Sequence, residues 1–185
     1  MGVSADYEFL AFQIGVLNNM NLHQINGLNT DKAHHLFMQC CTSERWVEKM
    51  VASRPFTDTD SLRKTADQIW KHLTEKDYLQ AFEGHPKIGD VSSLKTKYAN
   101  TKALASGEQS GANCATDEII AELAKSNSAY EEKYGFIFIV CATGKTAGEM
   151  LDLLCLRLNN DRYRELEIAS EEQRKIFHLR LEKLL

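Results

Sequence analysis

The chain has 185 residues, of which 43% are hydrophobic and 26% charged, and it carries a formal net charge of −4 with a pI near 5.9. This length suits one well-buried core and is short for two. Mild acidity without a dense lysine and arginine stripe argues against nucleic-acid binding. The longest apolar run, residues 136–142, is far below the roughly 20 residues that cross a bilayer. We therefore expect no membrane insertion and, from the composition of residues 1–20, no secretory signal.

Five cysteines, at positions 40, 41, 114, 141 and 155, are an odd number and do not indicate a disulfide framework. Free cysteines fit a reducing compartment, so we expect a cytoplasmic protein. Adjacent residues on a helix point in different directions, and cysteine is among the most commonly buried residue types. Cys40 and Cys41 are therefore interpreted as structural rather than as a redox pair.

Residues of the N-cap type precede apolar stripes at four places in the first half of the chain. They predict helices that begin at Thr30–Asp31, at Ser43, at Asp60 or Ser61, and at Thr74. The third is the clearest, since its apolar residues recur at spacings of three and four. We treat residues 1–20 as an N-terminal arm whose role is left open, and residues 21–185 as one helical domain.

Three further helices are predicted over residues 116–134, 145–158 and 161–184. Phe136–Val140, between the first two, is β-branched and aromatic, which favours a short buried extended segment. No second strand is evident to pair with it, so the fold class is an all-α, single-domain helical bundle with one short extended apolar segment. Gly144–Lys145–Thr146 does not indicate a phosphate loop, because Ile139 stands where that motif requires glycine. The apolar positions that we assign to the last helix are Leu166, Ile168, Ile176, Leu179 and Leu181.

The segment Gly84–Asp90 places a histidine on a stiff turn just after a predicted helix. Pro86 fixes its own φ and biases His85 toward an extended conformation, which limits where the imidazole can move. Histidine, with an ordinary pKa of about 6.5, suits acid and base chemistry at neutral pH. For His85 alone a structural role would be the better interpretation.

The later segment Ser106–Gly111 makes a functional role of His85 more attractive. It places Glu108 among small residues in a long polar loop, and such loops often bind ligands. If Glu108 meets His85, the carboxylate would set the imidazole tautomer and raise its pKa. Arg180, between leucines near the chain end, either extends to solvent or directs its guanidinium at a carboxylate or carbonyl.

Three short motifs follow one another along the chain: His-Pro-x-Ile-Gly from His85, Glu-Gln-x-Gly from Glu108 and Phe-Ile-Val-Cys-Ala from Phe138. In this order, they resemble the motifs of the OHCU decarboxylases. These enzymes convert 2-oxo-4-hydroxy-4-carboxy-5-ureidoimidazoline to (S)-allantoin in urate breakdown. The resemblance implies an all-helical, cofactor-free homodimer without a metal, in which His85 and Glu108 are catalytic. It also implies the following substrate-contacting residues: Pro86, Ala105, Ser106, Gly107, Gln109, Phe138, Ile139, Val140, Cys141, Ala142 and Arg180.

Two functions from different classes follow from the sequence. The first is a carboxy-lyase of purine catabolism, and the alternative is a non-catalytic helical module that binds a ureido or purine-derived ligand. A helical scaffold without a small ligand is a third interpretation. An enzyme generates optically active product, whereas a binding module leaves the background reaction unchanged.

Overall fold

The computed structural model describes residues 20–85 and 117–185. Within these ranges the chain forms eight helices and no strand, which confirms the all-α prediction over the described residues. None of the helices described there is long and apolar enough to cross a membrane. The helices are α1 (Leu22–Gly27), α2 (Thr30–Cys40), α3 (Glu44–Ala52), α4 (Thr59–Lys71), α5 (Glu75–Glu83), α6 (Asp117–Tyr134), α7 (Ala147–Arg157) and α8 (Arg162–Leu184).

The chain divides into two compact units. Unit 1 comprises residues 1–77 and 174–185, and unit 2 comprises residues 78–173. The C-terminal helix α8 contributes to both units because its sequence passes from one to the other at Gln173 and Arg174. Residues 1–19 lie outside the described part of the chain, so the boundary between an arm and a domain at residue 20 stays a prediction.

Side chains that accept backbone N–H groups mark where α2 and α4 of unit 1 begin. The Asn29 side chain accepts from Lys32 N at 2.9 Å, and Asp58 accepts from Ser61 N at 2.6 Å. These caps satisfy N–H groups that have no partner within the helix. The N-caps predicted at Thr30–Asp31 and at Asp60 or Ser61 are therefore one to three residues late, because a preceding Asn or Asp takes the capping position.

Aromatic side chains on several helices make the core of unit 1. Trp46 of α3 packs edge to face against Phe37 of α2 with ring centroids 6.2 Å apart, and it lies 5.2 Å from Phe177 of α8. Trp70 of α4 meets the same Phe177 ring at 5.5 Å. The Trp46 indole N–H donates to the Ala66 carbonyl at 3.2 Å, so the one polar atom of this ring is satisfied. The core residues of α2, α3 and α4 lie on apolar stripes with the helical spacing that the sequence shows.

The vicinal cysteines of unit 1 are both buried. Burial raises the pKa of the Cys40 thiol to about 12, although the charge of Arg180 acts in the opposite direction. A thiol with this pKa is not ionised at neutral pH and is a poor nucleophile. The interpretation of Cys40 as a structural residue agrees with this environment.

Unit 2 is built on the contact between α6 and α7, together with the first part of α8. Gly135 follows α6 with φ of 76°, a left-handed conformation that glycine adopts without strain. Gly144 adopts φ of 75° shortly before α7, and the Thr146 side chain accepts from Glu149 N at 3.2 Å as the N-cap. The chain therefore turns at residues 143–146 into a capped helix, as the sequence predicted in place of a phosphate loop.

The buried side of α8 differs from the one that the sequence indicated. Of the apolar positions assigned to this helix, only Leu181 is buried. The buried residues instead recur at every fourth position, as expected for one face of an α-helix. They are Glu165, Ala169, Gln173, Phe177 and Leu181, followed three residues later by Leu184.

Candidate functional site

Residues 137–142 of unit 2 form neither helix nor strand and link α6 to α7. Phe138 and Ile139 are buried, whereas Val140, Cys141 and Ala142 are half-buried. The family resemblance assigned residues 138–142 of this segment to substrate contact. Because buried backbone groups need partners, a segment without a strand neighbour must find them among side chains.

Three side chains supply hydrogen bonds to the backbone of this segment. Arg157 Nη1 donates to the Ile139 carbonyl at 2.7 Å, and Lys145 Nζ donates to the Cys141 carbonyl at 2.9 Å. The Cys141 N–H donates to Glu172 Oε2 at 2.7 Å. Charged groups make stronger hydrogen bonds than neutral ones, so these side chains hold residues 139–141 in place of a second strand.

Arg157 belongs to a buried network that also contains Glu165 and Tyr130. Its Nε donates to Glu165 Oε1 at 2.6 Å, and its Nη2 lies 2.5 Å from the same oxygen. The Tyr130 hydroxyl donates to Glu165 as well. Burial raises the pKa of Tyr130, so the hydroxyl remains protonated and able to donate.

The same guanidinium also touches an aromatic ring of the segment. Arg157 Cζ lies 4.6 Å from the centroid of the Phe138 ring, within the range of a cation–π contact. Asn160 Nδ2 donates to Glu165 Oε2 at 2.7 Å, so both carboxylate oxygens have partners. The network therefore holds both the side chain of Phe138 and the backbone of Ile139.

His85 follows the C-terminus of α5 and is half-buried. Its backbone N–H donates to the Phe82 carbonyl at 3.1 Å, which continues the helical turn up to the histidine. Its imidazole Nε2 lies 2.5 Å from Gln173 Oε1. Since a carboxamide oxygen can only accept, the imidazole donates through a protonated Nε2 in this arrangement.

Gln173 is fully buried on α8, and its carboxamide nitrogen has no hydrogen-bond partner among the described residues. A buried donor that is left unpaired costs about 1–3 kcal/mol. Such a group in a folded protein calls for an explanation. Gln173 thus combines an oxygen that contacts His85 with a nitrogen that has no partner in the described part of the chain.

Two neighbouring residues of α8 connect the separate parts of the candidate site. Glu172 binds the backbone of Cys141, and Gln173 binds the side chain of His85. Adjacent residues project about 100° apart around a helix, so one turn of α8 serves both groups. His85 and the segment at residues 139–141 are thus held by one turn of the same helix in unit 2.

Arg180 lies on α8 in unit 1 and is half-buried. Its Nη1 donates to the carbonyl of Cys40 at 3.1 Å and to that of Gln39 at 3.4 Å. These carbonyls end α2, where a positive charge complements the helix dipole. Of the two arrangements that the sequence left open, the structure shows the contact with carbonyls.

Several predicted site residues lie outside the part of the chain that the structure describes. The predicted contact between His85 and Glu108 is among the interactions that therefore stay predictions. The residues concerned are Pro86, Ala105, Ser106, Gly107, Glu108 and Gln109.

The polar residues of α8 and α7 were missed by the sequence analysis. Glu165 and Gln173 lie eight residues apart on the face that also carries Ala169 and Phe177. A signal was present, since a register through Phe177 and Leu181 at four-residue steps places both polar residues inside. Counting only apolar residues conceals such a face, because a buried glutamate resembles a solvated one in the sequence.

Comparisons with known proteins agree on one family. A family model described as OHCU decarboxylase matches residues 26–182. The chain is 38% identical over 148 residues to the uric acid degradation bifunctional protein of Arabidopsis thaliana, which covers 78% of this chain and 45% of that protein. It is 25% identical over 166 residues to the 2-oxo-4-hydroxy-4-carboxy-5-ureidoimidazoline decarboxylase of Haloferax volcanii, covering 89% of this chain and 96% of that one. The chain thus spans less than half the length of the bifunctional relative.

A solved structure provides a further match. The crystal structure of an OHCU decarboxylase in the presence of (S)-allantoin is similar with a TM-score of 0.66 and 36% sequence identity. The match covers 80% of this chain and 95% of the other. The helical fold and the sequence motifs therefore lead to the same family.

Proposed function

Because the chain belongs to the OHCU decarboxylase family, we propose that it converts 2-oxo-4-hydroxy-4-carboxy-5-ureidoimidazoline to (S)-allantoin in urate degradation. The match of the family model over residues 26–182 is the observation that carries this proposal. The similarity to a solved OHCU decarboxylase over 95% of that chain supports it. The proposed reaction is a cofactor-independent decarboxylation.

The substrate itself provides the place for the electrons that decarboxylation releases. Its carboxylate is attached to a carbon next to a C=N bond, so the electron pair of the breaking C–C bond moves into that imine as CO₂ leaves. The nitrogen takes a proton to give an enol, whose hydroxyl then loses its proton and becomes the carbonyl while the neighbouring carbon takes a proton. The protein therefore needs to orient the carboxylate, stabilise the intermediate and deliver the proton to one face.

We assign the proton transfer to His85, in cooperation with Glu108. The placement of His85 at the end of α5, with its ring held by Gln173, supports a histidine with a defined orientation. The bound backbone of Ile139 and Cys141 supports a rigid wall beside the substrate. By resemblance to the family, we assign substrate contacts to Pro86, residues 105–109 and Arg180 as well.

We further propose that the protein is a cytoplasmic homodimer. The family resemblance supports the dimer, and Leu156 and Tyr163 of unit 2 are exposed large hydrophobic residues that a second copy could cover. Free cysteines support a reducing compartment. Light scattering after size-exclusion chromatography measures the mass, and a monomeric mass would contradict the dimer.

Replacing His85 by alanine tests the assignment. We expect His85→Ala to keep the helical circular dichroism spectrum and to reduce decarboxylation of freshly generated substrate by about 100-fold or more, the usual contribution of acid–base catalysis. The matched control is His23→Ala, since His23 is exposed on α1. Optical activity at the absorption of allantoin measures formation of the S product.

Three results of this experiment have distinct meanings. Optical activity that accumulates with the wild type and with His23→Ala, but not with His85→Ala, supports the proposal. A fully active His85→Ala protein contradicts the role of His85. A wild-type protein that binds the ligand but leaves racemic product forming at the background rate contradicts the enzyme and favours the binding module.

A further inference from the structure

Gln173 differs from the other buried residues of α8 in the partners of its two polar atoms. It is fully buried, and one of its two polar atoms contacts the imidazole of His85 at 2.5 Å. The other polar atom, the carboxamide nitrogen, has no partner among the described residues. A methionine of similar volume would fill the same space without an unpaired donor. Stability alone therefore does not account for a glutamine here.

We propose that Gln173 is a positioning residue for His85, an inference that rests on the proposed decarboxylase function. Its carboxamide oxygen accepts from Nε2 and thereby fixes both the tautomer and the plane of the ring. In the neutral imidazole the proton then resides on Nε2. The proton that the ring gains and loses during a reaction is the one on Nδ1.

A neutral acceptor differs from a carboxylate in how it affects the protonation of the imidazole. A carboxylate beside Nε2 would also fix the tautomer, but its charge would favour the imidazolium and move the ring titration upward. The carboxamide orients the imidazole without adding that charge. Gln173 thus separates the orientation of His85 from its protonation equilibrium.

The preceding residue supports the precision of this arrangement. Glu172 holds the Cys141 N–H at 2.7 Å from the same turn of α8. The position of the imidazole relative to residues 139–141 is therefore defined by two hydrogen bonds from one rigid helix. Small errors in the orientation of a reacting group reduce catalysis strongly.

Two substitutions of Gln173 test the proposal in the full chain. Gln173→Met removes the acceptor and keeps the volume, whereas Gln173→Glu keeps an acceptor and adds a charge. The matched control is Gln68→Met, because Gln68 is an exposed glutamine on α4. The measurements are ¹⁵N NMR of the imidazole nitrogens, the pH profile of turnover, and kcat and KM separately. The His85 signals are those missing from His85→Ala.

We expect the neutral His85 ring of the wild type to carry its proton on Nε2. In Gln173→Met we expect a mixture of tautomers, unchanged or higher thermal stability, and a kcat reduced about tenfold, the size of one lost hydrogen bond. KM should change much less, because the substrate contacts remain. Gln173→Glu should retain the tautomer and move the titration midpoint and the pH profile upward by about one pH unit. Gln68→Met should behave as the wild type.

The proposal is overturned if neutral His85 of the wild type carries its proton on Nδ1, or if Gln173→Met changes neither the tautomer nor kcat. If Gln173→Met does not fold, the tautomer of the wild type and the shift of the titration midpoint in Gln173→Glu still decide whether the proposal holds. If the wild type has no decarboxylase activity, the proposed function fails, and the NMR measurement alone decides whether Gln173 fixes the imidazole.

Discussion

The cores of the two units are stabilised in different ways. Unit 1 buries aromatic and aliphatic side chains such as Phe37, Trp46 and Phe177, with an indole N–H satisfied by a backbone carbonyl. Unit 2 buries a guanidinium and a carboxylate, Arg157 and Glu165, beside a segment without regular structure. The first kind of core depends mainly on volume and shape. Unit 2 has a core of aromatic and aliphatic side chains as well, and it depends in addition on complementary charge and hydrogen bonding.

The largest effect is expected in unit 2, from a substitution that hardly changes volume. Glu165→Gln leaves the buried guanidinium of Arg157 without its countercharge, so we expect the free energy of unfolding to fall by about 3–5 kcal/mol. Chemical denaturation measures this change. The control is Glu167→Gln on the same helix, which alters an exposed ion pair with Arg164 and should cost less than about 1 kcal/mol.

A double substitution sharpens this test. Arg157→Met combined with Glu165→Leu removes both charges together, and we expect it to recover much of the stability lost in Glu165→Gln. The segment at Ile139 would still lose a hydrogen-bond donor, so exchange of its backbone amides should increase. Equal stability of Glu165→Gln and Glu167→Gln would contradict the view that charge holds this core.

In unit 1 we expect a loss of stability of similar size from a change in side-chain volume alone. Leu36 is fully buried on α2, and we expect Leu36→Ala to lower the free energy of unfolding by about 2–5 kcal/mol through the cavity it leaves. Leu36→Met keeps most of the volume and should cost less than about 1.5 kcal/mol. Thermal and chemical unfolding of both variants measure the difference. A Leu36→Met variant as unstable as Leu36→Ala would contradict the comparison.

The smallest effect on stability is expected from Asp77, a buried carboxylate of unit 1. Burial on its own raises the pKa of Asp77, but hydrogen bonds from the backbone N–H and the hydroxyl of Thr74, and the charge of Arg45, outweigh it and hold the pKa below its usual value. A carboxylate with a lowered folded pKa stabilises the protein above the unfolded pKa of about 3.9. This stabilisation is lost as the pH falls through the lower folded value.

Asp77→Asn should therefore reduce stability at neutral pH and converge with the wild type in acid. Unfolding free energies measured between about pH 2 and pH 7 test this expectation. Asp152→Asn, at an exposed position of α7, serves as the comparison. Parallel curves for the wild type and Asp77→Asn across this range would count against the role of Asp77.

The two units also differ in how far the sequence predicts them. In unit 1, N-cap residues and apolar residues at helical spacing place the starts of α2, α3 and α4 within about three residues of their positions. Local chemistry decides those elements, since caps and stripes involve neighbours in sequence. The exact starts were wrong because Asn29 and Asp58, which precede the predicted caps, are themselves good N-cap residues.

In unit 2 the helices were equally predictable, but the contacts of the candidate site were not. Gln173 meets His85 across 88 positions of the sequence, and Glu172 meets Cys141 across 31. Long-range pairs of polar residues leave no periodic pattern, so composition cannot separate them from solvated side chains. The motif around His85 could be recognised from the sequence, whereas the residue that orients its ring required the structure.

The spacing between Glu165 and Gln173 on α8 limits the insertions and deletions that this helix can accept. An insertion or deletion of one residue between them would rotate everything downstream by about 100° about the helix axis. The glutamine would then leave the interior while the glutamate stayed in place. Two chemically unrelated tasks, the neutralisation of Arg157 and the support of His85, therefore fix the spacing along this helix at slightly more than two turns.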